Sequence, residues 1–243
     1  MIAAIIQART GSIRLPNKVF KSLCGKPLIW HIVNRIKFSK KIDKIILATT
    51  QNPNDDILEI WALKNGISCF RGNENNVLDR YYQTANHYSA DTIVRITADD
   101  PFKDPEIIDE VIKLFEESNL DFAYNNAPPT FPEGLDTEVF SFKALQKAWE
   151  NSTDYFEKEH VTQYFYRNPS LFRQLCLKNC SDLSYLRWTI DTLPDWEMTE
   201  IIYNKLYHTK DIFYMTDILT LLAKEPAIAK INSSVKRSTM YTK

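Results

Sequence analysis

Ile2-Ala3-Ala4-Ile5-Ile6-Gln7 runs directly into Ala8-Arg9-Thr10-Gly11-Ser12-Ile13-Arg14-Leu15-Pro16-Asn17-Lys18. The first six residues are apolar on both faces, and a polar, cationic loop ends them. A short run of this kind reads as a strand covered on both sides, the form strands take in a parallel sheet. Outward from it, Pro27 opens an amphipathic helix to about Lys37, with Leu28, Ile29, Ile32, Val33 and Ile36 on its buried side. Strand Lys44–Thr49, helix Asp55–Asn65 closed by Gly66, strand Ile67–Arg71 and helix Val77–Ser89 follow. Strand Thr92–Thr97, helix Pro105–Ser118 and strand Asp121–Tyr124 continue the alternation. The pattern predicts an α/β fold, a mostly parallel sheet flanked by crossover helices. Beyond it, Pro128, Pro129 and Pro132 mark a non-helical excursion. Val139–Phe142 reads as a strand, Lys143–Asn151 and Glu157–Arg167 as helices, Leu186–Ile190 as a strand, Asp195–Leu206 and Met215–Lys224 as helices, and the tail beyond about Ser233 as loose.

Composition removes several function classes. The 243 residues carry 30 Lys+Arg against 31 Asp+Glu, a net charge of −1, so bulk charge does not hold this chain on nucleic acid. Tyr81, Tyr82, Tyr164, Phe165 and Tyr166 lack the basic surplus of a base-stacking platform and read as core or dimer packing. The apolar run Ile2–Ile6 is too short for a membrane span or a signal-peptide core. Cys24, Cys69, Cys176 and Cys180 form no CxxC pair and no disulfide scaffold, which reads as a reduced, cytoplasmic protein without structural zinc.

Three polar segments, Ala8–Lys18, Arg71–Arg80 and Thr97–Asp104, follow strand C-termini and are expected to line one crevice. Gly11 lets backbone N–H groups face an anion, and Arg9, Arg14 and Lys18 can neutralise a polyphosphate; the bland alternative is a solvated basic loop. The GxxxxGK[ST] spacing of a Walker loop is absent. Asp99, just past a buried strand, stands where a Mg²⁺ ligand would, and Asp191 ends the strand read at Leu186–Ile190. If those two strands are sheet neighbours, both carboxylates reach one metal. The competing reading makes both acids helix caps. His31 and Trp188 read as structural.

The block Ala8 to Lys18 resembles the A-R-x-x-S-x-R-L-P-x-K signature of the cytidylyltransferases, which include the CMP-Kdo and CMP-sialic acid synthetases. The likeness is greatest to the spore coat polysaccharide biosynthesis protein F family. It is carried also by Leu23-Cys24-Gly25-Lys26-Pro27, Phe70-Arg71-Gly72, Val77-Leu78-Asp79-Arg80-Tyr81-Tyr82, Arg95-Ile96-Thr97, Gly134-Leu135-Asp136, Glu159-His160-Val161-Thr162 and Leu186-Arg187-Trp188-Thr189-Ile190-Asp191-Thr192. The resemblance implies a Rossmann-like nucleotide-diphospho-sugar transferase fold using CTP and Mg²⁺. It implies one domain over 1–232, with 127–185 an acceptor-side and dimerisation elaboration, and a homodimer. By motif, Ala8, Arg9, Gly11, Ser12, Arg14 and Lys18 hold the triphosphate. Arg71, Asp79, Arg80 and Thr97 lie on the nucleotide side, and Asp99 and Asp191 hold the metal; Arg9, Lys18, Asp99 and Asp191 form the catalytic set. Ala98-Asp99-Asp100-Pro101 departs from the family's Gly-Asp-Cys-Pro, and Thr97 stands where the Kdo enzymes carry Gln.

Glu133, Asp136 and Glu138 around Gly134 are placed to meet the hydroxyls of an acceptor, or simply to solvate a loop. His160, with Glu157 and Glu159 at helical spacing, is either an acceptor-site residue or a packing histidine. The expected activity transfers CMP from CTP to an acidic sugar or sugar-phosphate-like acceptor with release of pyrophosphate. A glycosyltransferase of the same fold and a non-catalytic nucleotide-sensing subunit are the alternatives.

Overall fold

The protein is described as a computed structural model covering residues 1–12, 14–207 and 212–237. Strand β1 (Ile2–Gln7) is an interior strand of the sheet. A short hairpin, β2 (Ser22–Leu23) and β3 (Lys26–Pro27), leads into helix α1 (Leu28–Ile36). Then come β4 (Lys44–Thr50), α2 (Asp56–Lys64), β5 (Ser68–Gly72), α3 (Val77–His87), β6 (Thr92–Thr97), α4 (Pro105–Glu117) and β7 (Phe122–Tyr124). The later half adds β8 (Glu138–Ser141), α5 (Phe142–Asn151), α6 (Tyr155–His160), α7 (Gln163–Arg167), β9 (Gln174–Cys176), α8 (Leu193–Leu206), α9 (Met215–Lys224) and α10 (Ala227–Lys230).

The seven-stranded sheet has the order β5-β4-β1-β6-β8-β7-β9. The four strands from β5 to β6 are parallel, as the alternation predicts. Strand β8 enters antiparallel between β6 and β7, so β7 does not take the place beside β6. Side-chain alternation along β1 divides the core. Ala4 and Ile6 face a cluster with Leu28, Ile32, Ile108, Ile112, Trp188 and Ile202, whereas Ala3 and Ile5 face one with Leu78, Tyr81, Leu145 and Phe165. Tyr81 and Phe165 are therefore core residues, and Trp188 is fully buried.

Three expectations need correction. Leu186–Ile190 is not a strand; it makes only an isolated bridge between Glu133 and Arg187, and the neighbours of β6 are β1 and β8. The helix expected over Glu157–Arg167 is two helices, α6 and α7. Val161 between them has φ 55° and ψ −59°, and the Thr162 N–H donates to the His160 carbonyl at 2.5 Å, a γ-turn that an uninterrupted helix cannot contain. The tail is not loose from Ser233. Arg237 donates to the Phe131 and Ser184 carbonyls and pairs with Asp136 at 3.3 Å. Residues 238–243 of the expected tail lie outside the described residues.

His31 is structural. Its Nε2 lies 2.7 Å from the Leu23 carbonyl, and the rings of Trp30, Tyr203 and Tyr207 surround it edge-on. Burial holds its pKa down at about 4. The folded protein therefore refuses a proton that the unfolded chain accepts near pH 6.5. Stability from this group is complete above that pH and is lost as pH falls toward about 4. A His31→Gln variant is expected to show a shallower loss of melting temperature between pH 6.5 and 4 than the parent; parallel curves would contradict this.

Candidate active site

The loop after β1 is held from below by a buried carboxylate that sequence reading passed over. Asp55 Oδ1 accepts from the Thr10 backbone N–H and hydroxyl, both at 2.7 Å, and its other oxygen accepts from the Thr50 hydroxyl. Asp55 thereby ties the loop to the end of β4. Above this anchor, the Ser12 N–H bonds back to the Thr10 carbonyl at 2.8 Å, keeping the loop tight.

A cavity of about 520 Å³ opens over the C-terminal ends of β1 and β6. Ala8, Arg9, Ser12, Arg14 and Lys18 line it from the first loop, Glu74, Asn75, Val77 and Arg80 from the β5–α3 side, and Thr97 and Asp99 from β6 and its loop. Tyr155, Glu159 and His160 of α6 close the far wall. Arg80 is 3% exposed, and its side chain donates to the Asn73 carbonyl at 2.9 Å while its Nε finds no partner. Burial lowers its pKa, the mark of a cation short of compensating charge.

A second cavity of about 260 Å³ adjoins the first and shares Gln7, Arg14, Thr97, Asp99, His160 and Asp191 with it. Its own walls are Arg95, Asp100, Lys103, Glu133, Gly134, Asp136, Glu138, Thr189 and Arg237. Here charges come in pairs. Arg95 meets Glu138 at 2.5 Å, Lys103 meets Asp100 at 2.9 Å, and Arg237 meets Asp136. Burial pushes Asp136 up to about 6, against the pull of Arg237 and Lys103. Burial also raises Asp100, with the neighbouring Asp99 charge adding to it and Lys103 opposing it.

Asp99 and Asp191 meet at the junction of the two cavities. They arrive not through neighbouring strands but through the Ile190 N–H, which donates to the Asp99 carbonyl at 2.9 Å. Lys18 Nζ lies 3.1 Å from Asp99 Oδ2 and 3.3 Å from Asp191 Oδ1, and donates to the Ile190 carbonyl at 2.7 Å. Burial works to lower the Lys18 pKa, but the two carboxylates outweigh it and raise it. Burial works to raise that of Asp99, and Lys18, the Thr97 hydroxyl and Lys103 together lower it. Neither acid is needed as a helix cap. Asp104 caps α4 by accepting from the Glu106 N–H at 3.0 Å, and Thr192 with Asp195 forms a capping box on α8.

Asp191 is fixed by Arg187, which sequence reading placed in a motif without a role. The Arg187 guanidinium reaches Glu133 at 2.7 Å, Asp191 at 3.0 Å and Asp195 at 3.0 Å. Glu133 therefore serves the wall of the second cavity as an Arg187 partner. Glu138 likewise accepts from Arg95, Thr162 and Tyr166. Burial lowers the His160 pKa against the pull of Glu159, with Arg95 adding to the effect.

Other expected residues are not brought to these cavities. Arg71 is bound to Asp56 and Glu59 and donates to the Thr50 and Asn52 carbonyls, and Asp79 accepts from Trp149 Nε1 at 2.9 Å. Neither is among the lining residues, and nor is Gly11. Gly11 has open space where a side chain would stand, so nothing in the protein itself demands glycine there.

The residues match the cytidylyltransferase family over 3–231. The chain belongs to the cytidylyltransferase family. It is 39% identical to an uncharacterized protein of Methanocaldococcus jannaschii over 98% of this chain and 97% of that one. It is 33% identical to the spore coat polysaccharide biosynthesis protein SpsF of Bacillus subtilis, over 94% of this chain and 96% of the relative. A solved cytidylyltransferase structure from Leptospira borgpetersenii superposes with a TM-score of 0.89 at 33% identity, covering 94% of this chain and 96% of that one. Among the described residues of this cytidylyltransferase, no group of three or more His, Cys, Asp or Glu side chains forms a metal cluster. The two-carboxylate junction nonetheless offers hard oxygen donors already gathered around one cation, the Lys18 ammonium. That donor set fits Mg²⁺, which takes one or two carboxylates and completes its shell with phosphate oxygens and water.

Gly134 sets the approach of the second cavity's wall. Its φ is 104°, and an added Cβ would stand 2.7 Å from the Trp188 carbonyl carbon. Gly134→Ala is expected to cost about 3 kcal/mol, because both the backbone conformation and the contact oppose it. A chemical-denaturation midpoint equal to that of the parent would contradict this.

Proposed function

We propose that this chain transfers CMP from CTP to a sugar-type acceptor, releasing pyrophosphate, in a Mg²⁺-dependent reaction in the cytoplasm. The observation that carries this reading is the position of Asp99, Asp191 and Lys18 where a cation-lined cavity meets a second, ion-paired one. The first cavity suits a nucleoside triphosphate. Arg9, Arg14 and Lys18 supply the positive charge, and Arg80 adds a buried guanidinium on the nucleoside side. The second suits a polyhydroxylated acceptor, because the carboxylate of Asp136 accepts from hydroxyls and Thr97 and Thr189 add hydroxyls of their own. The resemblance of the first loop to the CMP-Kdo and CMP-sialic acid synthetases supports an acceptor that is an acidic sugar or carries a phosphate.

On this reading an acceptor oxygen attacks the α-phosphorus of CTP. A new P–O bond forms as the bond to the β-phosphate bridging oxygen breaks, pyrophosphate leaves with that electron pair, and the acceptor proton passes to solvent or a nearby base. Such chemistry depends on alignment and on neutralising charge more than on a covalent nucleophile. Arg9, Arg14 and Lys18 hold the departing phosphates, and His160 faces the acceptor. Asp99 and Asp191 would hold Mg²⁺, which when bound supplies charge neutralisation beside the reacting phosphate.

Family membership sets aside the glycosyltransferase alternative. The test is a pyrophosphate-release screen of four nucleoside triphosphates against acidic sugars and sugar phosphates with Mg²⁺. Release with CTP and at least one such acceptor is expected. CTP binding with no release from any acceptor would favour a nucleotide-sensing subunit and overturn the proposal. Asp99→Asn and Asp191→Asn are each expected to lower turnover roughly a hundredfold and raise the Mg²⁺ requirement. The double variant should fall well short of the product of the two losses, because both act on one ion. Unchanged Mg²⁺ titrations in both single variants would place the metal elsewhere.

The excursion over 127–185 supports a homodimer. Leu171, Tyr185 and Leu175 on the edge strand β9 are all exposed, and among the described residues the sheet ends there with an unpaired edge. Light scattering at micromolar concentration is expected to give twice the chain mass, and a monomer mass would contradict it.

A further inference from the structure

Lys18 stands where a divalent cation would stand. Its side chain is 12% exposed, and its ammonium has three oxygen partners: Asp99 Oδ2, Asp191 Oδ1 and the Ile190 carbonyl. Asp191 Oδ1 also receives Arg14 at 2.9 Å, and its other oxygen receives Arg187 at 3.0 Å. Two carboxylates thus already hold three cations. An ion arriving alone would have to displace a tethered ammonium, whose local concentration is set by the chain rather than by the solution. It would also have to shed its own strongly held water to do so.

These three cations are not equivalent. Arg187 is fixed by Glu133 and the fully buried Asp195, and Asn232 braces that cluster by donating to the Asp195 carboxylate and the Arg187 carbonyl. Lys18 and Arg14 instead line the triphosphate cavity, and the Arg14 side chain is 66% exposed. A polyphosphate in that cavity offers both of them alternative anions within reach of a rotamer change, while Arg187 continues to aim Asp191.

We propose that this site takes a divalent cation as its nucleoside-triphosphate complex and not as the free ion, because Lys18 occupies the two carboxylates until a polyphosphate draws it away. The inference rests on the assignment of Asp99 and Asp191 as metal ligands. It makes Lys18 both a phosphate ligand and the residue that orders metal entry.

The test measures Mn²⁺ binding by the loss of its free-ion electron paramagnetic resonance signal, with no nucleotide present. Wild type is compared with Lys18→Met and with Lys18→Gln, the second keeping a hydrogen-bond donor should the first fold poorly. At least tenfold tighter Mn²⁺ binding is expected in the Lys18 variants. The gain should vanish when Asp99→Asn is added, and Mn²⁺ should raise the melting temperature of the Lys18 variants more than that of wild type. Wild type that binds free Mn²⁺ as tightly as the Lys18 variants, in an Asp99-dependent way, would overturn the ordering role and leave the metal site standing. Lys18 variants that gain nothing, while Asp99→Asn still weakens binding of the Mn²⁺–CTP complex to wild type, would overturn it too. If Asp99→Asn changes neither measurement, the metal assignment itself fails and the inference fails with it.

Discussion

A single buried guanidinium governs the arrangement of the site. Arg187 is held in a segment with no regular secondary structure, yet it gathers Glu133 from the proline-rich loop, Asp195 from the start of α8 and Asp191 from the junction between the cavities. Removing one member of such a cluster leaves charge buried without a partner, which costs several kcal/mol, whereas the intact cluster need add little net stability. What it contributes is position. The Leu186–Ile190 segment lacks a sheet ladder to fix it, and the Arg187 cluster, the Trp188 N–H to the Glu133 carbonyl at 2.7 Å and the Ile190 N–H to the Asp99 carbonyl take the ladder's place. Asp191 therefore reaches Asp99 by side-chain chemistry and two backbone bonds rather than by strand register.

This explains which parts of the molecule could be read from the residues. The first four parallel strands were legible because each is a short apolar run flanked by helix-period segments; β1 and β6 have the expected ends, and those of β4 and β5 differ by one residue. The basic loop was legible because its cations cluster in sequence. Leu186–Ile190 looked like a strand because an apolar alternation signals burial, and burial is correct: Trp188 and Ile190 are fully covered. The signal says that a segment is inside, not what its backbone pairs with. The γ-turn at Val161 was illegible for a related reason, since a β-branched residue at positive φ runs against local preference and is imposed by the packing around it.

Residues that act at a distance left the least trace. Asp55 looked like an ordinary helix-start acid, and only the fold shows that it carries Thr10 and Thr50. Arg237 lay in a stretch read as loose, and its reach to Asp136 depends on α10 returning the chain to the second cavity. Arg71 and Asp79 show the converse. They sit within motif blocks that do border the site, but their side chains are held by Asp56, Glu59 and Trp149. Motif membership marks a neighbourhood, and the direction of a side chain within it is decided by partners far along the chain.

The distribution of charge partners separates the cations by task. Arg187, Arg95 and Lys103 are each buried against a carboxylate and are parts of the wall. Arg9, Arg14 and Lys18 lie on the loop after β1, where the backbone is tied at Thr10 but the side chains reach into the larger cavity. Arg80 is the exception, a buried cation whose hydrogen bond is to a main-chain carbonyl. A cation placed this way is destabilising until an anion arrives, and the return of that lost interaction adds to ligand affinity. The fold thus holds its shape with buried, paired charges and leaves Arg80 under-compensated beside the larger cavity. Both kinds converge where the parallel strands end, because that is the one edge of the sheet at which loops from distant parts of the chain can meet.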